Sequence, residues 1–168
     1  VSGIQLGYAN GDYFIVRPLR TEYMRKQFAA PAKAHFVADH IETTASTERQ
    51  LSRMFFDAEL GLVQEDAPVP SGYDPRERPW YVEAQASPVA TQPYLFHFIR
   101  KVGTTVTVRT SEEGVVIASD VSLDQFSDTI AGYRITPDSE AVIIGSDGRV
   151  LAYHDGARVM EGSADAQL

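Results

Sequence analysis

The chain has 168 residues, 43% of them hydrophobic, and a formal net charge of −8. This length and composition suit one ordinary domain with a buried core, or one domain and part of a second. The acidic balance argues against nucleic acid as a partner, because a negative surface repels phosphate backbones. There is no cysteine, which excludes disulfides, thiolate nucleophiles and cysteine-bound metals. No apolar run reaches the roughly 18 residues that cross a bilayer as a helix.

The first part of the chain indicates a succession of hairpins. Five strands are predicted before residue 66, at residues 3–8, 12–18, 34–42, 51–56 and 60–64. The Asn10-Gly11 pair between the first two supplies the positive φ angles that a tight turn requires. The segment between the second and third strands is compatible with a helix that Pro31 would stop.

After a loop that contains four prolines, the second part again predicts mainly strands. Three strands are predicted at residues 94–99, 104–109 and 114–121, and a last hairpin at 140–145 and 149–154. Between them we expect a helix over residues 123–131 that ends at Gly132. Ser122 and Gln125 have the spacing of a capping box at its start. The last turn is assigned to Asp147-Gly148.

The order of these elements predicts the fold class. Strands outnumber helices and most connections are short, which favours an antiparallel sheet with helices set against it, an α+β domain. There is no regular β-α-β alternation and no glycine-rich nucleotide motif. Pro137 marks a junction, so we predict one unit over residues 1–136 and a partial second unit over residues 137–168.

The segment from Tyr73 to Tyr81, YDPRERPWY, carries the most chemical information. Asp74 and Arg78 each precede a proline, which disfavours helical geometry at both positions. We therefore place the start of a helix at Pro79, with Arg78 at its cap. Trp80 and Tyr81 then lie in its first turn.

This arrangement suits a carboxylate ligand. The Arg78 guanidinium offers a planar fork of donors, the neighbouring indole N–H adds one, and a helix start adds a positive field. Tyr73 and Tyr81 could supply hydroxyl groups and walls. The alternative is that Arg78 pairs with Asp74 or Glu77, and that the tryptophan is a core residue.

Asp120 is the second candidate. Alternation along its predicted strand puts Val116, Ala118 and Asp120 on one face, where a carboxylate is costly unless it is paired. It could cap the helix that begins near Ser122, or it could receive a ligand ammonium group.

The remaining residues indicate no catalytic or metal centre. Tyr94, Phe96 and Phe98 would share one face of their strand, with His97 on the other, an aromatic row more typical of a core. The four histidines show no metal-ligand spacing, so we predict neither a metal nor a cofactor. A hydrolase that uses an Asp/Glu pair stays open as an alternative, because acidic residues are many.

The run DPRERPWY resembles the DPRxRPWY signature of the double-Cache family of bacterial sensor domains. Four further segments agree with this family in the right order: NGDYFIVRPL, PYLFHF, GVVIASDVSLDQF and EAVIIGSDGRVLAYH. The resemblance implies a PAS-like antiparallel sheet flanked by helices, followed by the start of a second Cache module. It also implies a periplasmic domain of an inner-membrane receptor that reports to a cytoplasmic output domain. Residues 34–64 and the Phe96-His97-Phe98 row look more like the branch attached to nucleotide cyclases or HD-type phosphohydrolases.

In the amino-acid-binding branch of that family, an RxWY motif and a later Asp hold the ligand. Carried onto this sequence, the resemblance implies six ligand-binding residues: Tyr73, Arg78, Trp80, Tyr81, Tyr94 and Asp120. Arg78 and Trp80 would bind an α-carboxylate, and Asp120 an α-ammonium group. The expected partner is an amino acid or small organic acid, without catalysis, in a membrane-tethered protein that could form a homodimer. A purely structural dimerisation module is a further alternative, which predicts a filled sheet face near Trp80.

Overall fold

The computed structural model describes residues 2–44, 48–112, 114–133, 136, 138–145, 148 and 150–153. Within these residues, ten strands form one antiparallel sheet. They are β1 (Gly3–Gly7), β2 (Tyr13–Pro18), β3 (Phe36–Thr43), β4 (Arg49–Phe56), β5 (Leu62–Glu65), β6 (Val69–Pro70), β7 (Val89–Ala90), β8 (Tyr94–Leu95), β9 (Val102–Arg109) and β10 (Val116–Ser122). The strand order is β5-β4-β3-β2-β1-β10-β9-β7, with β6 paired to β4 and β8 to β9. Strand β1 therefore lies near the centre of the sheet, between β2, which follows it in the sequence, and β10, the last strand of this sheet.

Short helices and a second hairpin accompany this sheet. They are α1 (Glu22–Gln27), a single 3₁₀ turn (Pro75–Glu77), α2 (Pro79–Val82), α3 (Leu123–Ala131), β11 (Val142–Ile144) and β12 (Val150–Tyr153). Strands β11 and β12 pair with each other, and β12 contacts α3. The predicted α+β class, an antiparallel sheet with helices set against it, is confirmed.

The turn between β1 and β2 forms as the Asn-Gly pair predicts. Gly11 adopts a φ of 92°, in the left-handed region that glycine tolerates best. The Tyr8 N–H donates to the Asp12 carbonyl at 3.0 Å, and the Gly11 N–H donates to the Tyr8 carbonyl at 3.0 Å. This turn fixes the register in which Gln5 lies opposite Ile15.

The predicted strand at residues 94–99 is wrong beyond Leu95. The chain leaves the sheet there and forms a turn, in which the Arg100 N–H donates to the Phe96 carbonyl at 3.0 Å. Phe96 and Ile99 are both buried, so the turn brings two hydrophobic side chains of this short segment into the core, where an alternating strand would separate them. The Phe96 ring occupies the space beside Gly103, where an added Cβ would come within 2.5 Å of it.

The helix predicted at residues 123–131 is confirmed with its C-cap at Gly132, but the capping box is wrong. The Ser122 hydroxyl donates to the Asp124 carboxylate, and the Gln125 side chain accepts from the Ser2 hydroxyl at 3.1 Å. Ser122 is the last residue of β10, so its backbone belongs to the sheet and its side chain makes no cap hydrogen bond.

The segment from Tyr73 to Tyr81, which we call the proline-rich motif, forms two successive helical elements. Asp74 accepts a hydrogen bond from the Arg76 N–H at 3.0 Å and caps the single 3₁₀ turn. The chain then extends at Arg78 and restarts as a helix at Pro79, as predicted. The predicted junction at Pro137, Asp147 of the last turn, and residues 154–168 lie outside the described residues, so the division into two units stays a prediction.

One face of the sheet, which we call the inner face, carries the core. It presents Gln5, Ile15, Val37, Thr105 and Asp120, and it is covered by α1, α2, the proline-rich motif and the turn at residues 96–99. A buried aromatic group centred on Trp80 packs over one part of this face, and a second group from α1 packs over another. Between them lies the candidate site.

Candidate ligand-binding site

Helix α2 is held against the centre of the sheet by contacts that require specific residues. Trp80 lies directly over Gly7 of β1, where an added Cβ would come within 2.6 Å of the indole ring. The Thr107 hydroxyl of β9 donates to the Trp80 carbonyl at 2.7 Å. Because α2 cannot slide, Arg78, which precedes it in an extended conformation, has a fixed position at the edge of the inner face.

A small cavity of about 20 Å³ lies between the sheet and this motif. That volume holds about one water molecule, so a larger ligand requires the lining side chains to move apart. Five of the six predicted binding residues line it: Tyr73, Arg78, Trp80, Tyr94 and Asp120. The structure thus brings together residues that are far apart in sequence.

The charge of Arg78 faces this cavity. Its guanidinium carbon lies 5.9 Å from the ring centroids of both Tyr73 and Tyr94. The hydrogen bond it makes is a long one, from Nη2 to the Leu95 carbonyl at 3.5 Å. Among the described residues no carboxylate forms an ion pair with it.

Asp74 and Glu77 were the alternative partners predicted for Arg78. Neither forms an ion pair with it among the described residues. Asp74 binds the Arg49 and Arg76 guanidinium groups at 2.6 and 2.7 Å. The hydrogen bond from Arg76 is the largest contribution that lowers the pKa of Asp74. Asp74 therefore secures the turn before the helix and leaves Arg78 available.

Asp120 lies across the cavity and is buried, with 8% of its surface exposed. Its Oδ1 accepts hydrogen bonds from Gln5 Nε2 and from the Thr105 hydroxyl, each at 2.7 Å. It does not cap α3, which was the alternative interpretation. Burial raises its pKa to about 6, and the Thr105 hydrogen bond and the nearby Arg17 charge oppose that rise only in part.

Two hydrogen-bond chains converge on the same oxygen of Asp120. The Thr105 hydroxyl has one proton, which goes to Asp120, so Tyr94 must donate to Thr105 across their 2.7 Å contact. On the other side Tyr13 donates to Gln5 Oε1 at 2.7 Å. Within the described residues Oδ2 receives no hydrogen bond, so this oxygen can accept from a ligand.

Trp80 and Tyr81, the adjacent aromatic residues of the motif, have different surroundings. The Trp80 indole N–H donates to the Tyr73 hydroxyl at 3.3 Å, so the ring is a wall of the cavity with its donor already used. Tyr81 does not line the cavity: its hydroxyl donates to the Gly114 carbonyl at 2.7 Å, and it secures the turn between β9 and β10. Consecutive helical residues point about 100° apart, so the two side chains cannot face the same space.

Sequence reasoning missed several lining residues. These are Gln5, Tyr13, Arg17, Phe96, His97, Phe98 and Ile99. A signal existed for two of them: Gln5 and Arg17 are long polar side chains at inward positions of short alternating strands, which is the pattern that singled out Asp120.

The described residues contain no group of three or more His, Asp or Glu that could hold a metal ion. Among them, no helix combines the length and the apolar character needed to span a membrane.

Comparisons with known proteins place this geometry in context. No protein-family model matches the chain. It is similar to Adenylate cyclase 1 of Rhizobium meliloti (strain 1021), with 29% identity over 158 residues, which cover 92% of this chain and 24% of that protein. It is also similar to the methyl-accepting chemotaxis protein McpG of Pseudomonas putida, with 30% identity over 105 residues, 61% of this chain and 17% of that protein. The chain therefore spans about a quarter or less of the length of these relatives.

Solved structures show the same architecture. The ligand-binding domain of the Pseudomonas aeruginosa PAO1 amino acid chemoreceptor PctB, in complex with L-Arg, matches with a TM-score of 0.51 and 19% identity over 95% of this chain and 50% of that chain. The ligand-binding domain of the Campylobacter jejuni chemoreceptor Tlp3, in complex with 4-methylisoleucine, matches with a TM-score of 0.51 and 13% identity, over 94% and 45% of the two chains. The fold is that of the PAS-like ligand-binding domains of chemoreceptors, which confirms the predicted resemblance to Cache sensor domains.

Proposed function

We propose that this chain, a domain with the fold of the Cache-type receptor domains, is the extracytoplasmic sensor of a bacterial transmembrane receptor and binds a small amino acid or organic acid. Two of its structural relatives are chemoreceptor domains in complex with amino acids. Tethering to the membrane and self-association stay predictions from the resemblance.

The observation that carries this proposal is the pair of opposite charges across the cavity. Arg78 has no carboxylate partner among the described residues, and Asp120 is held by neutral donors. Asp120 is buried, so its uncompensated charge is costly, whereas Arg78 is half-buried and free to pair; one zwitterion would bind both groups. The α-carboxylate would bind the guanidinium as a planar pair, and the α-ammonium would bind Asp120.

The proposal includes the absence of catalysis by this chain. A hydrolase of the alternative kind needs two carboxyl groups about 5–10 Å apart. Asp120 is the single Asp or Glu among the residues that line the cavity. The other alternative, a purely structural dimerisation module, predicts that no small molecule binds beside Trp80.

We also propose which type of cytoplasmic output domain this sensor controls. The match to Adenylate cyclase 1 extends over 92% of this chain, whereas the match to McpG extends over 61%. We therefore favour a nucleotide cyclase as the output. The gene sequence on either side of this chain tests that choice directly.

The test of the site is calorimetric titration of the purified chain with α-amino acids, each compared with the analogue that lacks the amino or the carboxyl group. We expect binding that needs both groups, and its loss in Arg78→Ala. The matched control is Arg20→Ala, because Arg20 is exposed and does not line the cavity. Equal affinity for a ligand in wild type and in a folded Arg78→Ala variant would contradict the site.

A further inference from the structure

Arg17 is a second arginine that lines the cavity, and it extends from the sheet. Arg17 lies on the inner face of β2, is 3% exposed, and is one of the lining residues. Its guanidinium carbon lies 4.8 Å from the centroid of the Phe98 ring and 5.2 Å from that of Phe28. The two rings restrict the guanidinium and leave its N–H groups in a fixed direction.

Arg17 is only partly neutralised by the protein. In the part of the chain that the structure describes, it makes one hydrogen bond, from Nη1 to Asp39 Oδ2 at 2.8 Å. Asp39 also accepts from Arg53, with Nε to Oδ1 at 2.6 Å and Nη2 to Oδ2 at 3.2 Å. Two guanidinium groups thus share one carboxylate, and the group of three carries a net charge of +1.

The charges around the cavity therefore do not balance. Arg78 and Asp120 cancel each other, and the excess positive charge of the Arg17 group remains at the cavity wall. A zwitterionic ligand with a neutral side chain would satisfy Arg78 and Asp120 and leave this excess in place. A ligand with one additional negative group would remove it.

We infer that the ligand is an acidic amino acid, whose side-chain carboxylate binds the Arg17 guanidinium. This inference rests on the proposed function, because it assumes that the α-groups bind Arg78 and Asp120. Because the cavity is only about 20 Å³, the lining side chains must move apart to admit an amino acid, which favours a short side chain such as that of aspartate or glutamate. Hydrogen bonds to charged groups contribute about 1.5–3 kcal/mol, so we expect the acidic side chain to improve affinity by at least about tenfold.

The experiment is calorimetric titration of the whole 168-residue chain with glutamate, aspartate, glutamine and asparagine. We expect each acid to bind at least about tenfold more tightly than its amide. In Arg17→Gln, which can still donate to Asp39, we expect the affinities for acid and amide to become similar. The matched control is Arg20→Gln, which removes the charge of an exposed arginine outside the group of three and outside the cavity lining, and which should leave the discrimination unchanged.

The outcomes separate this inference from the proposed function. Amides or other neutral amino acids that bind as tightly as the acids overturn the inference and leave the proposed function in place. Failure of every amino acid to bind overturns both. An unchanged ratio of acid to amide affinity in folded Arg17→Gln also overturns the inference, and the wild-type series decides the matter if that variant does not fold.

Discussion

Asp39 and Asp120 are buried carboxylates on the inner face of one sheet, on β3 and β10, and their partners differ in kind. Asp39 is surrounded by the guanidinium groups of Arg17 and Arg53. Asp120 has the neutral amide of Gln5 and the neutral hydroxyl of Thr105. Asp39 is hydrogen-bonded by charged groups, whereas the hydrogen bonds to Asp120 come from neutral donors and Arg17 acts on it without direct pairing. The first arrangement stabilises the fold, whereas the second leaves a charge that a ligand can neutralise.

The difference predicts that the two carboxylates respond to the same substitution in opposite directions. Asp39→Asn leaves Arg17 buried without a counter-charge, and removing one member of a buried ion pair costs about 3–5 kcal/mol. We expect a loss of that size in the free energy of unfolding, measured by urea denaturation at pH 7. A loss below about 1 kcal/mol would show that Asp39 is no more structural than an exposed ion pair.

Asp120→Asn should stabilise the protein. The asparagine Oδ1 can still accept from Gln5 and Thr105, while the buried negative charge is gone. Burial raises the pKa of Asp120 from 3.8 to about 6. At about 1.4 kcal/mol per pH unit, that shift corresponds to a gain on the order of 3 kcal/mol above pH 7. The same variant should lose affinity for ammonium-bearing ligands, and a variant that is destabilised at pH 8 would contradict this assignment.

The pH dependence sharpens the same contrast. Because the pKa of Asp120 is higher in the folded protein, the folded state binds the proton more tightly between pH 6 and pH 4. Wild-type stability should therefore rise relative to Asp120→Asn as the pH falls through this window, until the difference disappears. The comparison cancels other groups, such as His97, whose pKa is lowered mainly by burial. A difference that stays constant from pH 8 to pH 4 would show that the pKa of Asp120 is the same in the folded and the unfolded protein, and would contradict the raised value.

The sequence alone predicts the position of Asp120, but it does not predict the ion pairs of Asp39. Alternation along β10 places Asp120 on an apolar face, and the prolines around Arg78 fix the start of α2, because both are local effects. The pairing of Asp39 with Arg17 and Arg53 depends on strand register across three strands, which local patterns do not encode.

Tertiary packing also decided the features that sequence reasoning placed incorrectly. The Tyr94–Phe98 alternation is compatible with a strand, but burial of Phe96 beside Gly103 draws the segment into a turn. Tyr81 follows Trp80 in a motif that the resemblance treats as one unit, yet it binds the Gly114 carbonyl on another side of the helix. A motif predicts that residues act together, whereas the direction of each side chain depends on the fold around it.

The smallest effect that we predict concerns the hydroxyl groups of β9. Thr105 donates to Asp120 and Thr107 donates to the Trp80 carbonyl, from the same face of the same strand. Removing a hydrogen bond to a charged group costs about 1.5–3 kcal/mol, and one to a neutral group about 0.5–1.5 kcal/mol. Thr105→Val should therefore lower the free energy of unfolding more at pH 8, where Asp120 is ionised, than at pH 5, where it is largely protonated.

Thr107→Val is the matched control and should lower the free energy of unfolding equally at both pH values. Parallel urea denaturation of the two variants measures both costs, and a pH-independent cost for Thr105→Val would mean that its hydroxyl does not stabilise a carboxylate charge.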